Sequence, residues 1–370
     1  MYKGIKVLDM HSHIHDRSQP HRHAYPFLAT LMGAQGIGAS GIIPSPIGPG
    51  KHSDQAGNTD EDFKAVAASL VKYMDERNID TQVLSVHPLN VHGWMEPANI
   101  FQSWISYSND MVFKLAQAEP SRFVGAAQLP QLAYEKDTTH CLEELERCVT
   151  EYGFVATYVS PDITGRRDSP SMNEPYWYPL YEKCQALGIP IIVHGTNGLD
   201  PRYKTFKTGG GHNPYYQLSF MSEQSMATVY LRQNDQFERF PGLKIMICHC
   251  GGFVDRLIGE SDFLGGGRDT SANLFYDTCS YDLDFLATAI KQRGVSQFAY
   301  GTEAPGSGTN IRPGTEYTAD DMVPMIAEHP TLSFLSEQDK QNIFHNTPKM
   351  LCPGIADAAA TNAKAKVKAY

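Results

Sequence analysis

The sequence predicts an α/β fold, a closed (β/α)8 barrel of the TIM type, and three observations lead to this prediction. Eight short apolar runs rich in β-branched residues alternate with segments of helical periodicity, the pattern of a parallel sheet built from βα units. Runs such as residues 189–193 and 243–248 show no polar alternation, which favours strands buried on both faces. A doubly wound open sheet would have a glycine-rich phosphate turn after its first strand, and residues 10–14 are not such a turn. The open sheet is therefore the alternative prediction.

The predicted elements follow one another in the order that a barrel requires. The strands are predicted at residues 6–9, 82–86, 123–128, 154–159, 190–194, 244–248, 274–277 and 297–300. The helices between them are predicted at residues 61–77, 99–118, 137–152, 176–187, 222–239 and 283–293, where apolar side chains recur at helical spacing.

A single catalytic domain over residues 1–355 accounts for this repeat, with two loop insertions and a tail. Residues 33–57 are rich in Gly, Pro and Ser and follow the first strand. They are too long for an ordinary turn, and either lie across the mouth of the barrel or form a disordered surface insertion. Residues 198–213 have a similar character after the fifth strand. Residues 356–370 lack an apolar face, which predicts a flexible C-terminal tail, either a frayed helix or disorder.

The composition indicates a globular protein and excludes several classes of partner. Hydrophobic residues make up 41% of the 370 residues and charged residues 19%, which argues against disorder and coiled coil. A formal net charge of −10 disfavours binding to nucleic acid or to an anionic membrane.

No apolar run approaches the roughly 18 residues that span a bilayer, and the first residues do not resemble a secretory signal, so we expect a cytoplasmic protein. Its seven cysteines are expected to be reduced and buried.

Histidines and one glutamate stand at the predicted strand ends. Five of the 14 histidines fall within the first 23 residues, and His11 and His13, two residues apart in a strand, project to the same face. His194, His249 and Glu303 each follow an apolar run, at the edge where barrel enzymes place their catalytic groups. Three imidazoles and a carboxylate suit Zn²⁺ with an open position for water, and Mn²⁺ is also feasible. The predicted metal ligands are therefore His11, His13, His194 and Glu303, and His249 is predicted to be a base beside them.

Seven stretches of the sequence carry a resemblance to a known family. They lie at residues 9–13, 144–148, 176–183, 248–252, 276–278, 301–306 and 335–344. In these stretches the chain resembles the amidohydrolase-related enzymes that include aminocarboxymuconate semialdehyde decarboxylase. It is most similar to the branch of oxalomesaconate hydratases and of lignin-pathway hydrolases that cleave a carbon–carbon bond in ring-opened products. The resemblance runs from Asp9 to about Phe344 and implies a metal-dependent barrel enzyme.

The resemblance also implies roles for individual residues. It gives the same four metal ligands and places His249 on the family's catalytic histidine. Glu303 stands where the decarboxylases usually carry Asp and where the hydratase and hydrolase branch carries Glu. Tyr216 corresponds to a tyrosine that contacts substrate, with Tyr215 as the alternative one position away. Arg256 corresponds to an arginine that holds a substrate carboxylate.

One position departs from the family pattern. The hydrolases have a carboxylate-binding arginine after the second strand, whereas this chain has His87 there. An imidazole cannot make the bidentate contact of a guanidinium. Either the substrate lacks that carboxylate, or Arg166, Arg167 or Arg202 replaces the missing contact.

These observations predict an enzyme of aromatic-compound catabolism. The leading hypothesis is a hydrolase that cleaves a carbon–carbon bond of a carboxylated ring-cleavage product through a metal-activated water, with His249 and Glu303 transferring the proton. The alternatives are nonoxidative decarboxylation of a hydroxylated aromatic or muconic acid, and hydration of an unsaturated keto acid. A sensor or scaffold without catalysis is the hypothesis from another class. The resemblance further implies a homo-oligomer, a dimer or larger.

Overall fold

Eight parallel strands form the centre of the molecule, in a computed structural model that describes residues 1–14, 60–86, 98–132, 134–195, 214–232, 235–255, 273–306 and 308–366. The strands pair in chain order, each with the next. Met10 N donates to Tyr300 O at 2.9 Å and Glu303 N donates to His11 O at 2.7 Å, so backbone hydrogen bonds also join the first strand to the residues after the eighth. The predicted (β/α)8 barrel is confirmed. The strands are β1 Leu8–Ile14, β2 Thr81–Val86, β3 Phe123–Gln128, β4 Ala156–Val159, β5 Ile191–Val193, β6 Ile245–Ile247, β7 Leu274–Asp277 and β8 Phe298–Ala299.

Helices connect the strands along the chain. Those before β8 are α1 Asp60–Glu76, α2 Ala98–Ala118, α3 Leu142–Thr150, α4 Tyr178–Leu187, α5 Pro214–Arg232, α6 Gln236–Arg239 and α7 Leu283–Arg293. Those after β8 are α8 Met322–Glu328, α9 Glu337–Gln341, α10 Thr347–Leu351, α11 Pro353–Ala356 and α12 Ala358–Asn362. Short 3-10 turns lie at Thr138–Cys141, Pro175–Trp177, His249–Gly251, Val295–Gln297 and Pro330–Leu332, and a π-helical turn lies at Asn342–Asn346. The helix predicted at residues 222–239 begins earlier, at Pro214, and α6 is a separate short helix.

Alternate residues of the strands face two different cores. Ile192 and Met246 pack in the cluster inside the barrel, whereas Ile191 and Val193 pack in the cluster between the sheet and the helices. Every residue of β2 to β8 is buried. This double burial explains why the apolar runs lack polar alternation.

The first strand is longer than predicted. It was expected at residues 6–9, and this prediction of its end is wrong, because β1 spans Leu8–Ile14. Ser12 and His13 pair with Leu84 and Ser85 of β2, so the polar residues that suggest the end of the strand lie within it. His13 is therefore held by pairing with β2. His11 lies at the irregularity in register between Asp9 and Ser12, and its carbonyl accepts a hydrogen bond from Glu303 N.

The residues after β8 close the barrel at the amino-terminal ends of its strands. Ile355 and Ala358 are at most 1% exposed and belong to the same cluster as the inward-facing strand residues. Lys6, which precedes β1, donates from Nζ to Ala356 O at 2.8 Å. The catalytic side of such a barrel is the opposite end, where the strands finish.

The predicted C-terminal tail includes the helix α12. The carboxylate of Asp357 accepts a hydrogen bond from Ala360 N at 3.1 Å and caps α12. Asn362 is buried and donates from Nδ2 to Pro120 O at 2.9 Å and to Phe123 O at 2.8 Å. A cap and one buried amide hold this segment, and neither produces the apolar periodicity by which helices are recognised.

Several sequence predictions concern features outside these elements. The predicted insertions at residues 33–57 and 198–213 lie outside the described residues. Among the helices that the structure describes, none is long and apolar enough to cross a membrane. All seven cysteines are free and buried, as expected. The predicted homo-oligomer stays a prediction.

Candidate metal centre

His11 and His13 lie side by side within β1 and are completely buried. Their Nε2 atoms are 3.0 Å apart. Nδ1 of His11 lies 2.6 Å from Oδ2 of Asp277, and Nδ1 of His13 lies 2.7 Å from Oγ of Ser85. The Ser85 hydroxyl donates its proton to Ser12 O at 3.1 Å, so its oxygen accepts from the imidazole. Both rings therefore carry their proton on Nδ1.

This choice of tautomer has a physical consequence for the other ring nitrogens. With Nδ1 protonated, each Nε2 presents a lone pair, and the lone pairs of His11 and His13 face each other across 3.0 Å. Such an arrangement is repulsive unless a positive charge lies between them. Neutral imidazoles whose outer N–H is held by a carboxylate or hydroxyl are the usual form of histidine metal ligands.

His194 joins this pair from the end of β5. Its ring centroid lies 5.1 Å from that of His11 and 5.0 Å from that of His13. Nδ1 donates to the carbonyl of Gly195 at 2.6 Å, while the buried Nε2 has no hydrogen-bond partner among the described residues. Burial is the main cause that lowers the pKa of His194 to about 4, so the ring is neutral near pH 7. A buried, unpaired lone pair costs free energy unless a ligand satisfies it.

Glu303 completes the group from the segment after β8. Its Oε1 lies 3.8 Å from Nε2 of His194. Its backbone is in the left-handed region, with φ 61°, and Gly306 lies so close that a Cβ there would be 2.2 Å from Glu303 O. Burial opposes ionisation, but interactions with His249 and the other neighbouring histidines outweigh it and hold the pKa of Glu303 well below its usual value. The carboxylate is therefore ionised.

These four side chains form a group that fits a divalent cation. One ligand atom from each of His11, His13, His194 and Glu303 lies within 4.8 Å of every other, and all four residues are buried. Three imidazoles and one carboxylate form a donor set that suits Zn²⁺. The unsatisfied Nε2 of His194 and the facing lone pairs of β1 indicate that this group fits a cation.

His249 lies next to this group, on a strained turn after β6. His249 and Cys250 both have positive φ angles, 50° and 55°, which non-glycine residues adopt at a cost of about 1–3 kcal/mol each and which the surrounding structure must hold. Nε2 of His249 lies 3.2 Å from Oε1 of Glu303, and Nδ1 lies 2.9 Å from the Nε2 amide of Gln224. A lone pair on Nε2 would face an ionised carboxylate, so the proton belongs on Nε2 and Nδ1 accepts from Gln224. His249 thus has the opposite tautomer from the three other histidines.

Buried carboxylates hold the backbone around the group. Asp9 accepts from the backbone N–H of His11 at 3.0 Å and of Thr302 at 3.2 Å, and burial raises the pKa of this carboxyl to about 6. Asp277 accepts from Cys250 N at 2.9 Å through Oδ1, in addition to its contact with His11. One carboxylate therefore fixes both the first strand and the turn that carries His249.

Sequence reasoning missed several residues that contact the group. Asp277 and Gln224 were given no role, nor were Ser85, Cys279 and Tyr281. Asp277 ends the apolar run of β7, which is the same feature that drew attention to the other strand ends, so it could have been found. The contact of Gln224 with His249 joins α5 to the end of β6, and no local pattern indicates it.

The predicted substrate-binding residues lie wholly or in part outside the described part of the chain. His87 and Arg256 lie outside the described residues, as does Arg202. Tyr215 and Tyr216 belong to the first turn of α5, and their side chains are outside the described part of the chain. Their predicted roles in binding substrate stay predictions.

The two remaining arginines differ in their contacts. Arg167 donates from Nη2 to Ser219 O at 3.1 Å, which attaches it to α5 rather than to the group of histidines. Arg166 is exposed, and its backbone N–H donates to Thr164 Oγ1 at 3.1 Å.

Comparisons with known proteins agree with this geometry. The profile of the Amidohydrolase family matches residues 8–351. A 2-keto-4-carboxy-3-hexenedioate hydratase from Sphingobium sp. is 28% identical over 307 residues, which cover 80% of this chain and 85% of the hydratase. A 2-amino-3-carboxymuconate-6-semialdehyde decarboxylase from Dictyostelium discoideum is 23% identical over 261 residues, 66% of this chain and 68% of that protein.

A solved structure extends the likeness to three dimensions. The crystal structure of 4-oxalomesaconate hydratase from Rhodopseudomonas palustris superposes with a TM-score of 0.75 and 26% identity, covering 97% of this chain and 99% of the hydratase. The resemblance that the sequence motifs predict is confirmed.

Proposed function

The chain belongs to the amidohydrolase family and is an enzyme of that superfamily, and we propose that it is a cation-dependent hydratase of a small, unsaturated, carboxylated keto acid. The observation that supports this most is the buried group of three imidazoles and the Glu303 carboxylate, whose ligand atoms lie within 4.8 Å of one another. Two relatives, at 28% and 26% identity, are hydratases by name. Hydration is one of the alternatives that the sequence leaves open, and these relatives favour it over the carbon–carbon hydrolysis first expected.

The proposed cation is Zn²⁺, with Mn²⁺ as the second candidate. His11, His13, His194 and Glu303 would hold it. When bound, such a cation is a Lewis acid that polarises the oxygen atoms of substrate and water. Zn²⁺ is favoured because imidazole nitrogens outnumber oxygens in the donor set, whereas Mn²⁺ prefers oxygen ligands.

His249 and Glu303 are proposed to move the protons of the reaction. Hydration requires one group to accept a proton from water and another to donate a proton to carbon. Glu303 is ionised, so its Oε1 is the acceptor. Nε2 of His249, 3.2 Å from Oε1, carries a proton and is the donor. General acid–base help of this kind contributes roughly 10²- to 10⁴-fold to the rate.

Substrate carboxylates are proposed to bind to Arg256 and to Tyr216 or Tyr215, with His87 as a further contact. Arg256 directly follows Asp255, whose carboxylate pairs with Arg293 at 2.5 Å. A guanidinium binds a carboxylate through two parallel hydrogen bonds, which fixes the orientation of the substrate.

Hydrolysis of a carbon–carbon bond is the second candidate. It is supported by the same Glu303–His249 pair, because both reactions begin with removal of a proton from water. Nonoxidative decarboxylation needs no such step. It is supported by the relative at 23% identity and by gamma-resorcylate decarboxylases that are 28% and 29% identical over about half of this chain.

A single isotope experiment distinguishes the three reactions. The holoenzyme is incubated in ¹⁸O-labelled water with unsaturated keto dicarboxylates and tricarboxylates, and products are analysed by mass spectrometry. A hydratase gives one product with ¹⁸O on a former alkene carbon. A hydrolase gives two fragments with ¹⁸O in a new carboxylate, and a decarboxylase releases carbon dioxide. Release of carbon dioxide without uptake of label would overturn the proposal.

A further inference from the structure

The two oxygens of the Glu303 carboxylate have different neighbours. Oε1 lies 3.2 Å from Nε2 of His249 and 3.8 Å from Nε2 of His194. Oε2 accepts a hydrogen bond from the hydroxyl of Tyr281 at 3.3 Å. One oxygen of the carboxylate therefore faces the histidines and the other faces the phenol. Rotation of the carboxylate plane would exchange the positions of the two oxygens.

Tyr281 is itself held from two directions. It lies between β7 and α7, and Arg312 donates from Nη1 to its backbone oxygen at 2.5 Å. The Tyr281 ring packs against Gly308, where an added Cβ would lie only 2.8 Å from Cζ. Arg312 also donates from Nη2 to Ala319 O at 3.1 Å, which ties Tyr281 to the segment after β8. The phenol is thus a fixed partner rather than a freely rotating surface group.

Glu303 needs such a partner because the conformation of its backbone does not determine the orientation of its carboxylate. The residue lies outside regular structure with φ 61°, and a Glu side chain has three rotatable bonds. Its backbone N–H donates to His11 O at 2.7 Å, and that backbone contact does not orient the carboxylate. The hydrogen bond from Tyr281 holds Oε2, whereas Oε1 lies next to the histidines.

We propose that Tyr281 is a positioning residue for Glu303, holding Oε2 so that Oε1 stays directed at the histidines. This inference rests on the proposed function, because Glu303 matters there as a cation ligand and proton acceptor. Partners that orient a ligand side chain usually change cation affinity or activity by about 10- to 100-fold when they are removed. The hydrogen bond is long for an O–H donor, so the lower end of that range applies.

The test is Tyr281→Phe, which removes the hydroxyl and keeps the ring that packs on Gly308. The matched control is Tyr152→Phe, because Tyr152 also donates to a carboxylate, that of Asp110 at 2.6 Å, and takes no part in the metal centre. The apoprotein of each variant is titrated with Co²⁺, and the visible spectrum, which reports the ligand field, is recorded. Circular dichroism confirms that each variant is folded.

Tyr281→Phe is expected to weaken Co²⁺ binding about tenfold and to shift the visible bands, whereas Tyr152→Phe changes neither. In a Glu303→Gln background, Tyr281→Phe should change the affinity less than twofold, because the two residues act through one contact. Wild-type affinity and spectrum in Tyr281→Phe would overturn the positioning role alone. Failure of the wild-type protein to bind Co²⁺ would overturn both this inference and the proposed function.

Discussion

Asp277 holds the ring of His11 in one tautomer. Its Oδ2 accepts the Nδ1 proton of His11 at 2.6 Å, and both side chains are fully buried. Oδ1 of the same carboxylate accepts from the backbone N–H of Cys250 and of Cys279. Because both oxygens act as acceptors, Asp277 couples the cation-binding end of β1 to the turn that carries His249.

Asp277→Asn should therefore weaken cation binding. An amide can accept on one side only, so its NH2 group must face either Nδ1 of His11 or the N–H of Cys250. We expect the affinity for Zn²⁺ to fall by about 10- to 100-fold, measured by titration against a competing chelator. Asp110→Asn, which replaces a carboxylate bound to Arg147 and Tyr152, is the control. An unchanged affinity in Asp277→Asn would contradict the role assigned to this carboxylate.

The four histidines should separate into two functional classes. His194→Ala removes a neutral lone pair from the proposed cation site, and we expect the metal content per chain to drop to near zero together with activity. His249→Ala removes a proton donor but no ligand, so the metal should remain while kcat falls by roughly 10²- to 10⁴-fold. Metal analysis and steady-state kinetics on both variants provide the check. Equal metal loss in the two variants would show that His249 has been given the wrong role.

The fold could be predicted from the sequence because its strands are buried on both faces. Uninterrupted apolar runs such as β3 and β7 have the predicted bounds of residues 123–128 and 274–277. The end of β1 was predicted too early because His11, Ser12 and His13 interrupt the apolar run, and only the pairing of Ser12 and His13 with β2 shows that the strand continues. The order of α12 was not predicted, because a cap and a buried amide help to hold it.

The candidate site was predictable only in part, for a related reason. Residues that end apolar runs, such as His194, stand out in the sequence. Contacts that fix tautomers do not, because they join residues far apart in the chain: His11 and Asp277 are separated by 266 positions. Gln224 lies on a helix, and only the tertiary fold brings it to His249.

Arg293 should stabilise the turn that carries His249. Its side chain is 2% exposed, and its guanidinium pairs with Asp255 at 2.5 Å, donates to the Cys250 carbonyl and stacks 4.2 Å from the centroid of the Tyr276 ring. Arg293→Met leaves the Asp255 charge buried and unpaired, and we expect the free energy of unfolding to fall by about 3–5 kcal/mol.

The control for Arg293 is the double variant that removes both charges. Arg293→Met with Asp255→Leu leaves no unpaired charge, so it should be more stable than Arg293→Met alone. Urea denaturation of the wild type and of the three variants measures the difference. If the free energy of unfolding lost in the double variant equals the sum of the losses in Arg293→Met and Asp255→Leu, the two charges do not act as a pair.

Asp321 should make stability depend on pH. Its carboxylate is 8% exposed, and Oδ1 has no hydrogen-bond partner among the described residues. Burial, together with the nearby charge of Asp320, outweighs the attraction of Arg77 and raises the pKa of Asp321 from 3.8 to about 6. The folded state therefore binds its proton more tightly than the unfolded state does. The resulting stability is complete below about pH 4 and is lost as the pH rises through about 6.

Asp321→Asn removes this titration and keeps the shape of the side chain. At pH 7.5 we expect the variant to be more stable than the wild type by roughly 1–3 kcal/mol, since one pKa unit corresponds to about 1.4 kcal/mol and partial solvation reduces the effect. At pH 4 the two should unfold at the same urea concentration. The exposed Asp284, changed to Asn, controls for the loss of one negative charge. A gain in stability that persists at pH 4 would mean that the carboxylate is not destabilised by burial, because a protonated Asp321 and an asparagine are both neutral there.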